Sequence, residues 1–294
     1  MKKLYSVLTI SLLVLFLAAC SSTSSNSNGK DKGTQSVLDK AREEGKIVVG
    51  FSGEKPYAYE DENGNLTGQS VEVAKAVFKE LGIEEVEGVL TKFGSLIPGL
   101  QSGQFDVITA GMYITPERCE QVLFGEPEYS IGEALAVQKG NPLNLHSYED
   151  IVNNPYVKVA IMNGAIEIDY LTSMGIDEDQ FEIVQDIPSN ITALESGRVD
   201  AITMTGPTLE SALATANAKN IERVEDFTQP VIDGESIRGY GAAAFSTEDE
   251  ELVAAYNEEL AKIKESGELL DINSEFGFTE ADMPGEMTTE QLCN

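Results

Sequence analysis

The sequence has few of the side chains on which metal-dependent and histidine-dependent chemistry relies. Among its 294 residues there is one histidine, His146, and there are three cysteines. A single imidazole leaves few ways to build a histidine-centred active site or a zinc site. We therefore expect a protein with no metal, no cofactor and no catalytic residues.

Basic side chains are scarce relative to acidic ones. The chain carries 20 Lys and Arg against 50 Asp and Glu, which gives a formal charge of −30 at pH 7. Such a surface repels phosphates, so the charge argues against nucleic acid as a partner. It suits a protein that stays dissolved and unassociated, and we expect a monomer. Either a salty or alkaline medium or a simple need for solubility would explain the charge.

The apolar run near the N-terminus is short for a membrane span. Residues 4–17 follow two lysines and lead into Ala18-Ala19-Cys20. A charged start, a short apolar core and small residues describe an export signal. Residues 1–19 match the bacterial lipoprotein signal, so we predict that Cys20 is lipidated and anchors an extracytoplasmic protein to the outer face of the cell membrane. An ordinary signal cut near Ala19 is the alternative.

The composition changes after the predicted signal. Residues 21–33 are rich in Ser, Asn and Gly, so we predict a disordered tether over residues 20–35. With Cys20 lipidated, Cys119 and Cys293 remain as an even number in an oxidising compartment. We predict that these two form a disulfide that holds the C-terminal tail to the body. Two separate buried thiols are the alternative.

The body is built from two similar halves. Residues 46–50 read as a short apolar strand, and apolar residues then recur at helical spacing from Val71 to Leu81. Residues 95–109 align without gaps on residues 189–203 with eight identities in fifteen, which suggests one supersecondary unit used twice. In each copy a helix ends near a glycine and a strand starts after an aspartate. We predict two α/β lobes with largely parallel sheets that face each other across a cleft.

One short segment has the features of a carboxylate receptor. Thr115-Pro-Glu-Arg118 combines an N-cap hydroxyl with a proline at the first helical position, so it places Arg118 at a positive helix end. A guanidinium there can hold a carboxylate through two parallel hydrogen bonds. Just before it, Gly111 lets backbone amides approach a ligand closely. The alternative makes Arg118 a surface ion-pair partner.

Three aromatic residues, Tyr57, Phe93 and Tyr113, come directly after strand-like segments or turns. Side chains at such positions face a cleft, and aromatic rings that meet there can enclose a cation by face contact, worth about 0.5–2 kcal/mol each. Glu54 lies three residues before Tyr57 and could accept hydrogen bonds from a cationic N–H group. Packing of these aromatics in the core is the alternative.

Several longer segments make the family recognisable. The sequence resembles the extracellular solute-binding proteins of family 3, which deliver polar amino acids and related solutes to ABC importers. The resemblance runs from about residue 36 to residue 294. It implies a two-lobed periplasmic-binding-protein fold of type II, with two hinge crossings between α/β lobes. The segments that carry it are Thr115-Pro-Glu-Arg118 with Phe124-Gly-Glu-Pro-Glu-Tyr129, Ala134-Leu-Ala-Val-Gln-Lys-Gly-Asn-Pro142, Gly197-Arg-Val-Asp200 and Leu260-Ala-Lys-Ile-Lys-Glu-Ser-Gly-Glu268.

Within this family the sequence is most similar to ectoine- and hydroxyectoine-binding proteins. That likeness implies an aromatic cage at Tyr57, Phe93 and Tyr113, an acid for ring N–H groups at Glu54 and a carboxylate clamp at Arg118. The cysteine after that arginine and the cysteine near the end also match the subgroup. The segments concerned are Glu54-Lys-Pro-Tyr57, Phe93-Gly-Ser-Leu-Ile-Pro-Gly-Leu-Gln101, Ile108-Thr-Ala-Gly-Met-Tyr-Ile-Thr-Pro-Glu-Arg-Cys119 and Gln291-Leu-Cys293.

Two departures from the family pattern bear on the ligand. Amino-acid binders of the family usually have an aspartate for the α-ammonium where Thr205 stands here. Losing that charge-assisted hydrogen bond would cost roughly 1.5–3 kcal/mol, which weighs against ordinary amino acids. Backbone amides of Gly164, Ala165 and Ile166 could meet the carboxylate, although the hydroxyl that the family often has there is missing.

These features predict a substrate-binding lipoprotein that captures a small zwitterion, ectoine or hydroxyectoine, and delivers it to an ABC permease. The first lobe would comprise residues 36–136 and 239–294, and the second residues 137–238. A polar amino-acid receptor of the same family is the main alternative. An enzyme on this fold would have to use Glu54 as its acid or base, and a sensor domain would need a membrane span after residue 294.

Overall fold

Two five-stranded sheets, each covered by helices, organise the protein. The computed structural model describes residues 35–232 and 235–294. The predicted export signal, Cys20 and all of the predicted tether except Gln35 therefore lie outside the described residues. Within the described ranges, no helix is both long enough and apolar enough to cross a membrane.

Helices and short strands alternate along most of the chain. The helices are α1 Val37–Glu44, α2 Gln69–Glu80, α3 Leu96–Gln101, α4 Pro116–Cys119, α5 Tyr148–Val152, α6 Glu167–Ser173, α7 Ile187–Glu195, α8 Gly206–Ala216, α9 Glu250–Ser266, α10 Glu268–Glu275 and α11 Thr289–Cys293. The strands are β1 Lys46–Phe51, β2 Tyr59–Glu60, β3 Leu66–Thr67, β4 Glu85–Leu90, β5 Val107–Ile108, β6 Leu123–Phe124, β7 Tyr129–Ile131, β8 Glu133–Gln138, β9 Val159–Met162, β10 Phe181–Val184, β11 Ala201–Thr205, β12 Ile221–Arg223, β13 Val231–Ile232, β14 Glu235–Ser236, β15 Gly239–Gly241 and β16 Ala244–Phe245.

The two sheets have the same plan. The first has the strand order β4-β1-β5-β16-β6 and the second the order β10-β9-β11-β8-β12. In each, two pairings are parallel and two are antiparallel. The prediction of two α/β lobes is confirmed, but the prediction of largely parallel sheets is wrong. Strand β16 in the first sheet and strand β8 in the second run antiparallel to both of their neighbours. Each of these strands follows a connection between the lobes. We call the halves built on these sheets the first and second lobes.

The repeated sequence unit occupies equivalent places in the two lobes. The first copy forms α3 and β5, and the second forms α7 and β11. The aspartate that precedes each strand bonds to the neighbouring strand in the same way: the side chain of Asp106 accepts from the Val48 amide at 3.0 Å, and that of Asp200 accepts from the Lys158 amide at 2.9 Å. The predicted helix-Gly-Asp-strand unit is thus present in both lobes.

A two-stranded antiparallel ribbon, β7 with β15, lies where the chain passes between the lobes. The strand that follows it, β8, pairs only within the second sheet. A lobe boundary between residues 136 and 137, as the sequence predicts, would cut this strand. We therefore propose that the first crossing lies before Glu133, while the return near residue 239 stays as predicted.

The first-lobe core packs helices onto one face of its sheet. Helix α2 buries the stripe Val73, Ala74, Val77 and Phe78, whose spacing is that of one helical face. Glu128 is a charged residue in this region and is fully buried. Tyr256 Oη donates a hydrogen bond to its Oε1 at 2.9 Å, and burial raises the pKa of the carboxyl to about 7.

The C-terminal tail is attached to the first lobe near α4. Cys119 and Cys293 form a disulfide with a Cα–Cα distance of 5.8 Å. Leu292 and Cys293 pack against a hydrophobic cluster that also contains Phe93 and Met112. The tail therefore supports the short helix that carries Arg118.

Candidate functional site

A cavity lies between the carboxyl ends of strands from the two sheets. Eight of the ten substrate-binding residues predicted from the sequence line it: Glu54, Phe93, Gly111, Tyr113, Arg118, Ala165, Ile166 and Thr205. The remaining lining residues are Met162, Glu167, Ile187, Thr203 and Met204. Ligands of open α/β sheets bind outside the carboxyl ends of the strands, so the cavity is the candidate site.

Arg118 is held at the cavity by the short helix α4. The Thr115 side chain caps that helix by accepting a hydrogen bond from the Arg118 amide at 3.2 Å. The guanidinium is buried, and it donates through Nη1 to the Tyr113 carbonyl at 2.8 Å and through Nη2 to the Gly164 carbonyl at 2.9 Å. Its carbon lies 5.8 Å from the centre of the Phe93 ring. Two of its five N–H groups are thus bonded to backbone, and a ligand carboxylate can reach others.

Burial and neighbouring charges have opposite effects on the pKa of this arginine. Desolvation lowers the pKa of Arg118 from its ordinary value, while the negative charges of Asp169 and Glu167 raise it. An arginine keeps its proton in this situation because its ordinary pKa is so high. Arg118 is therefore a permanent positive charge on the cavity wall.

Glu54 is held by a chain of hydroxyl groups that crosses between the lobes. Tyr57 Oη donates to Thr205 Oγ1 at 3.0 Å, Thr205 donates to Thr208 Oγ1 at 3.0 Å, and Thr208 donates to Glu54 Oε1 at 2.7 Å. Burial raises the pKa of Glu54 to about 7, although the hydrogen bond from Thr208 opposes the shift and the charge of Glu167 adds to it. Glu54 can therefore ionise near neutral pH when a cation is bound beside it.

Tyr57 does not line the cavity, contrary to the sequence prediction of a cage position. Its ring is buried behind the lining, 5.2 Å from the ring centre of Tyr129 and 5.8 Å from that of Phe278. The ring lies against Gly111, where a Cβ atom would come within 2.5 Å of it. Because that glycine leaves space, the ring packs under it and contributes its hydroxyl to the chain of hydrogen bonds.

Gly164 also has a different role from the predicted one. Its carbonyl accepts from Arg118, whereas the sequence suggested that its amide would face a ligand carboxylate. The next amide, that of Ala165, donates to the Met162 carbonyl at 3.0 Å and is occupied by that turn. Gly164 lines a neighbouring hollow with Phe93, Gly94 and Asp169 and does not line the main cavity. An amide receptor for a carboxylate at residues 164–165 is therefore not supported.

Two acidic residues near the cavity were missed by sequence reasoning. Glu167 is the first residue of α6 and lines the cavity, directly after the predicted segment that ends at Ile166. Glu133 begins β8 and stands opposite Thr205 on β11, so both side chains project from the same face of the sheet. The sequence signal that could have identified Glu133 is its position directly before the uniformly apolar run Ala134–Val137.

Both acids are deeply buried. Glu133 is 2% exposed and Glu167 is 3% exposed. Burial raises the pKa of each carboxyl, and for Glu133 the charges of Glu167 and Glu54 raise it further. The Arg118 charge opposes the shift at Glu167. The site thus combines one guanidinium and three carboxyl groups with aromatic faces, an arrangement suited to a small ligand that carries both charges.

The candidate site lacks the features of a metal centre. Within residues 35–232 and 235–294, no group of three or more His, Cys, Asp or Glu side chains has the geometry to hold a metal ion. His146 lies on the second lobe, where its Nδ1 is 2.7 Å from Asp226 Oδ1.

Comparison with known proteins gives one consistent result. The model of the bacterial extracellular solute-binding proteins, family 3, matches residues 47–279. A probable amino-acid ABC transporter periplasmic-binding protein of Sinorhizobium fredii is 36% identical over 262 residues, which cover 88% of this chain and 86% of that protein. The arginine-binding extracellular protein of Bacillus subtilis is 28% identical over 275 residues, covering 92% of this chain and 95% of the relative.

Solved structures of binding proteins agree with the match to this family. The crystal structure of EhuB in complex with hydroxyectoine superimposes with a TM-score of 0.79 at 34% sequence identity, covering 88% of this chain and 98% of EhuB. An ancestral arginine-binding protein bound to arginine gives a TM-score of 0.69 at 29% identity, over 80% of this chain and 99% of the other. The chain therefore belongs to the bacterial extracellular solute-binding proteins of family 3, which serve ABC transporters as binding proteins and are not enzymes.

Proposed function

We propose that this binding protein captures a small zwitterionic compatible solute, ectoine or hydroxyectoine, in the cavity between its lobes. The observation that carries the proposal is the convergence of Arg118, Glu54, Phe93 and Tyr113 on one cavity between the lobes. The guanidinium would hold the ligand carboxylate, and Glu54 would accept hydrogen bonds from the cationic ring N–H groups. The faces of Phe93 and Tyr113 would cover the cation. The similarity to EhuB, which was solved with hydroxyectoine, supports this proposal.

A polar or basic amino acid is the second candidate, and a specific observation favours it. The neutral Thr205 weighed against an α-ammonium group, but Glu167 lines the same cavity and Glu133 stands beside Thr205. A buried carboxylate on the second lobe could therefore serve as the ammonium partner that Thr205 cannot provide. The arginine-binding relative is consistent with this candidate.

Family 3 binding proteins of ABC importers work outside the cytoplasm and pass their ligands to a membrane permease. We propose that this chain acts there as a monomer that is anchored through a lipid on Cys20. The disulfide between Cys119 and Cys293 is consistent with an oxidising compartment.

Calorimetric titration of residues 35–294, which form one compact unit, tests the ligand assignment. The titrants are ectoine, hydroxyectoine, glycine betaine and a panel of polar and basic amino acids. We expect ectoine or hydroxyectoine to bind most tightly. Tighter binding of an amino acid, with no heat from either ectoine, would replace the first candidate by the second.

A further inference from the structure

Thr208 lies on the second lobe but bonds to an acid of the first. It is the third residue of α8, and its Oγ1 donates a hydrogen bond to Glu54 Oε1 at 2.7 Å. Thr208 is 1% exposed and Glu54 is 7% exposed, so the bond is shielded from solvent. Glu54 lines the cavity and Thr208 does not, so Thr208 can influence a ligand there only through other residues.

The start of α8 differs from that of other helices in the same lobe. A polar side chain at the N-cap usually accepts a hydrogen bond from a backbone amide of the first turn. Ser147 does so before α5, and Asp186 does so before α7. Thr205 at the N-cap of α8 makes no such bond, and its hydroxyl donates to Thr208 Oγ1 at 3.0 Å. The hydroxyl groups of Thr205 and Thr208 thus bond away from the helix backbone and toward the first lobe.

The direction of these hydrogen bonds follows from the acid at the end. An ionised carboxylate only accepts, so the proton between Thr208 and Glu54 belongs to Thr208. The hydroxyl protons of Thr205 and Tyr57 then point the same way along the chain. Among the residues that the structure describes, none bonds to Glu54 Oε2, so this oxygen is available to a cationic N–H group. The bond from Thr208 also opposes the rise in the pKa of Glu54 that burial causes.

We propose that Thr208 is a positioning residue that links closure of the second lobe to Glu54, because its hydroxyl holds Oε1 and leaves Oε2 for the cation of the ligand. This inference rests on the proposed capture of a zwitterion between the lobes. Since Thr208 and Glu54 belong to different lobes, their bond exists only where the lobes meet. The bond therefore stabilises the closed form, in which the ligand is bound, over the open form.

Affinity for ectoine at about pH 8, where Glu54 is largely ionised, tests the proposal. Calorimetry is carried out on residues 35–294, which form one compact unit. Thr208→Val removes the hydroxyl and keeps the shape, so it should bind at least about tenfold more weakly, the cost of losing a hydrogen bond to a charged group. Thr208→Ser keeps the hydroxyl and should bind within about threefold of the wild type.

Thr109 provides a matched control for this substitution. It is a first-lobe threonine that is also 1% exposed and does not line the cavity, and its hydroxyl has no hydrogen-bond partner within the described ranges. Thr109→Val should therefore change the affinity for ectoine by less than about twofold, because no hydrogen bond is lost.

A double-mutant cycle separates positioning of Glu54 from packing between the lobes. In the Glu54→Gln background the acceptor is neutral, so Thr208→Val should weaken binding by only about threefold or less. A loss through packing alone would be equally large in both backgrounds.

Unchanged affinity in Thr208→Val would overturn the proposal, and so would Thr208→Ser that binds as weakly as Thr208→Val. An equal loss in the Glu54→Gln background would also overturn it. Thr208→Ala gives the same comparisons if Thr208→Val does not fold. If ectoine gives no heat with the wild type, the proposed ligand is wrong, and the same variants are titrated with the amino acid that binds. If no titrant binds, both proposals are wrong.

Discussion

The two lobes line the cavity with different chemistry. The first contributes a permanent cation, an acid and two aromatic faces, namely Arg118, Glu54, Phe93 and Tyr113. The second contributes mainly small, apolar or hydroxyl side chains and one acid: Met162, Ala165, Ile166, Glu167, Ile187, Thr203, Met204 and Thr205. The cation and the aromatic faces are thus concentrated on the first lobe, and the second lobe, which adds mostly uncharged side chains, resembles a cover.

The lobes are in contact through polar bonds and through apolar packing, since Met162 and Ile166 of the second lobe lie in hydrophobic clusters with first-lobe side chains. The polar bonds include the Arg118 bond to the Gly164 carbonyl, the Tyr57–Thr205 bond and the Thr208–Glu54 bond. An exposed ion pair, Lys92 with Asp186, adds a fourth contact. Contacts of this kind can break and re-form, as hinge closure around a ligand requires. The difference between the lobes therefore suggests that a ligand docks first on the first lobe and is then covered by the second.

Removal of the cation from the first lobe should have the largest effect. Arg118→Ala is expected to weaken ectoine binding about 100-fold or more, since truncating one partner of a buried charge pair costs roughly 2–5 kcal/mol. Calorimetry measures the loss. Arg118→Lys keeps the charge but cannot donate in the same fork geometry, so it should recover only part of the affinity. Unchanged affinity in Arg118→Ala would remove the clamp from the site.

Two buried acids of the first lobe allow a matched comparison of site and core. Glu54 and Glu128 both have a pKa of about 7, but only Glu54 lines the cavity. At about pH 8, Glu54→Gln should weaken ectoine binding by about 10-fold to 100-fold, the cost of losing a hydrogen bond to a charged group. Glu128→Gln should change the affinity less than about twofold. A similar loss in both would mean that Glu54 acts through folding alone.

The same pair contributes to how the free energy of unfolding depends on pH. Each acid has a folded-state pKa of about 7 against an ordinary value of 4.5, so the folded state retains a proton that the unfolded chain releases between these values. The free energy of unfolding of the ligand-free protein should therefore fall as pH rises from 4.5 to 7, by about 3 kcal/mol for each acid. Urea denaturation across this range measures the fall, and Glu128→Gln should reduce its slope. A slope that is unchanged in this variant would contradict the assignment.

The asymmetry between the lobes also explains what the sequence could and could not predict. In the first lobe, Phe93 and Tyr113 come after strand-like segments or turns, and Arg118 lies in a helix whose start is marked by Thr115-Pro116, so local pattern was enough to bring them to the cavity. Glu167 could not be distinguished in the same way, because it is one among 50 acidic residues and only its burial marks it. For Glu133 the apolar run that follows it was a weaker local signal. The position of the Tyr57 ring beneath Gly111 likewise depends on tertiary packing, which local sequence does not show.

The fold shows the same division between local and distant information. The helix-Gly-Asp-strand unit was predicted because its signals lie within fifteen residues. The antiparallel insertion of β8 and β16 was not, because it depends on where the chain crosses between lobes, and no local pattern encodes that.

Gly94 provides a test of whether the second lobe closes over the ligand. A Cβ atom at this position in the first lobe would lie 2.3 Å from Asn163 Nδ2 of the second lobe. Gly94→Val should therefore hinder closure and weaken ligand binding about tenfold, a modest steric penalty of 1–3 kcal/mol. Because this contact lies between the lobes and outside the hydrophobic core of either, the thermal unfolding midpoint of the ligand-free protein should change little. A lowered midpoint with unchanged affinity would show that the glycine serves packing within the first lobe.

The smallest effect is expected at the exposed ion pair between the lobes. Lys92 bonds to Asp186 at 2.7 Å across the cleft, while Arg198 bonds to Glu182 at 2.9 Å within the second lobe. Lys92 and Arg198 are equally exposed, at 54% of the side chain, so Arg198→Gln is a matched control for Lys92→Gln. At low salt, Lys92→Gln should weaken ligand binding about twofold, as a surface pair contributes at most about 1 kcal/mol, and Arg198→Gln should not. The difference should vanish at about 1 M salt, where exposed charges are screened. If it persists there, or if both variants weaken binding equally, the pair does not act through closure of the lobes.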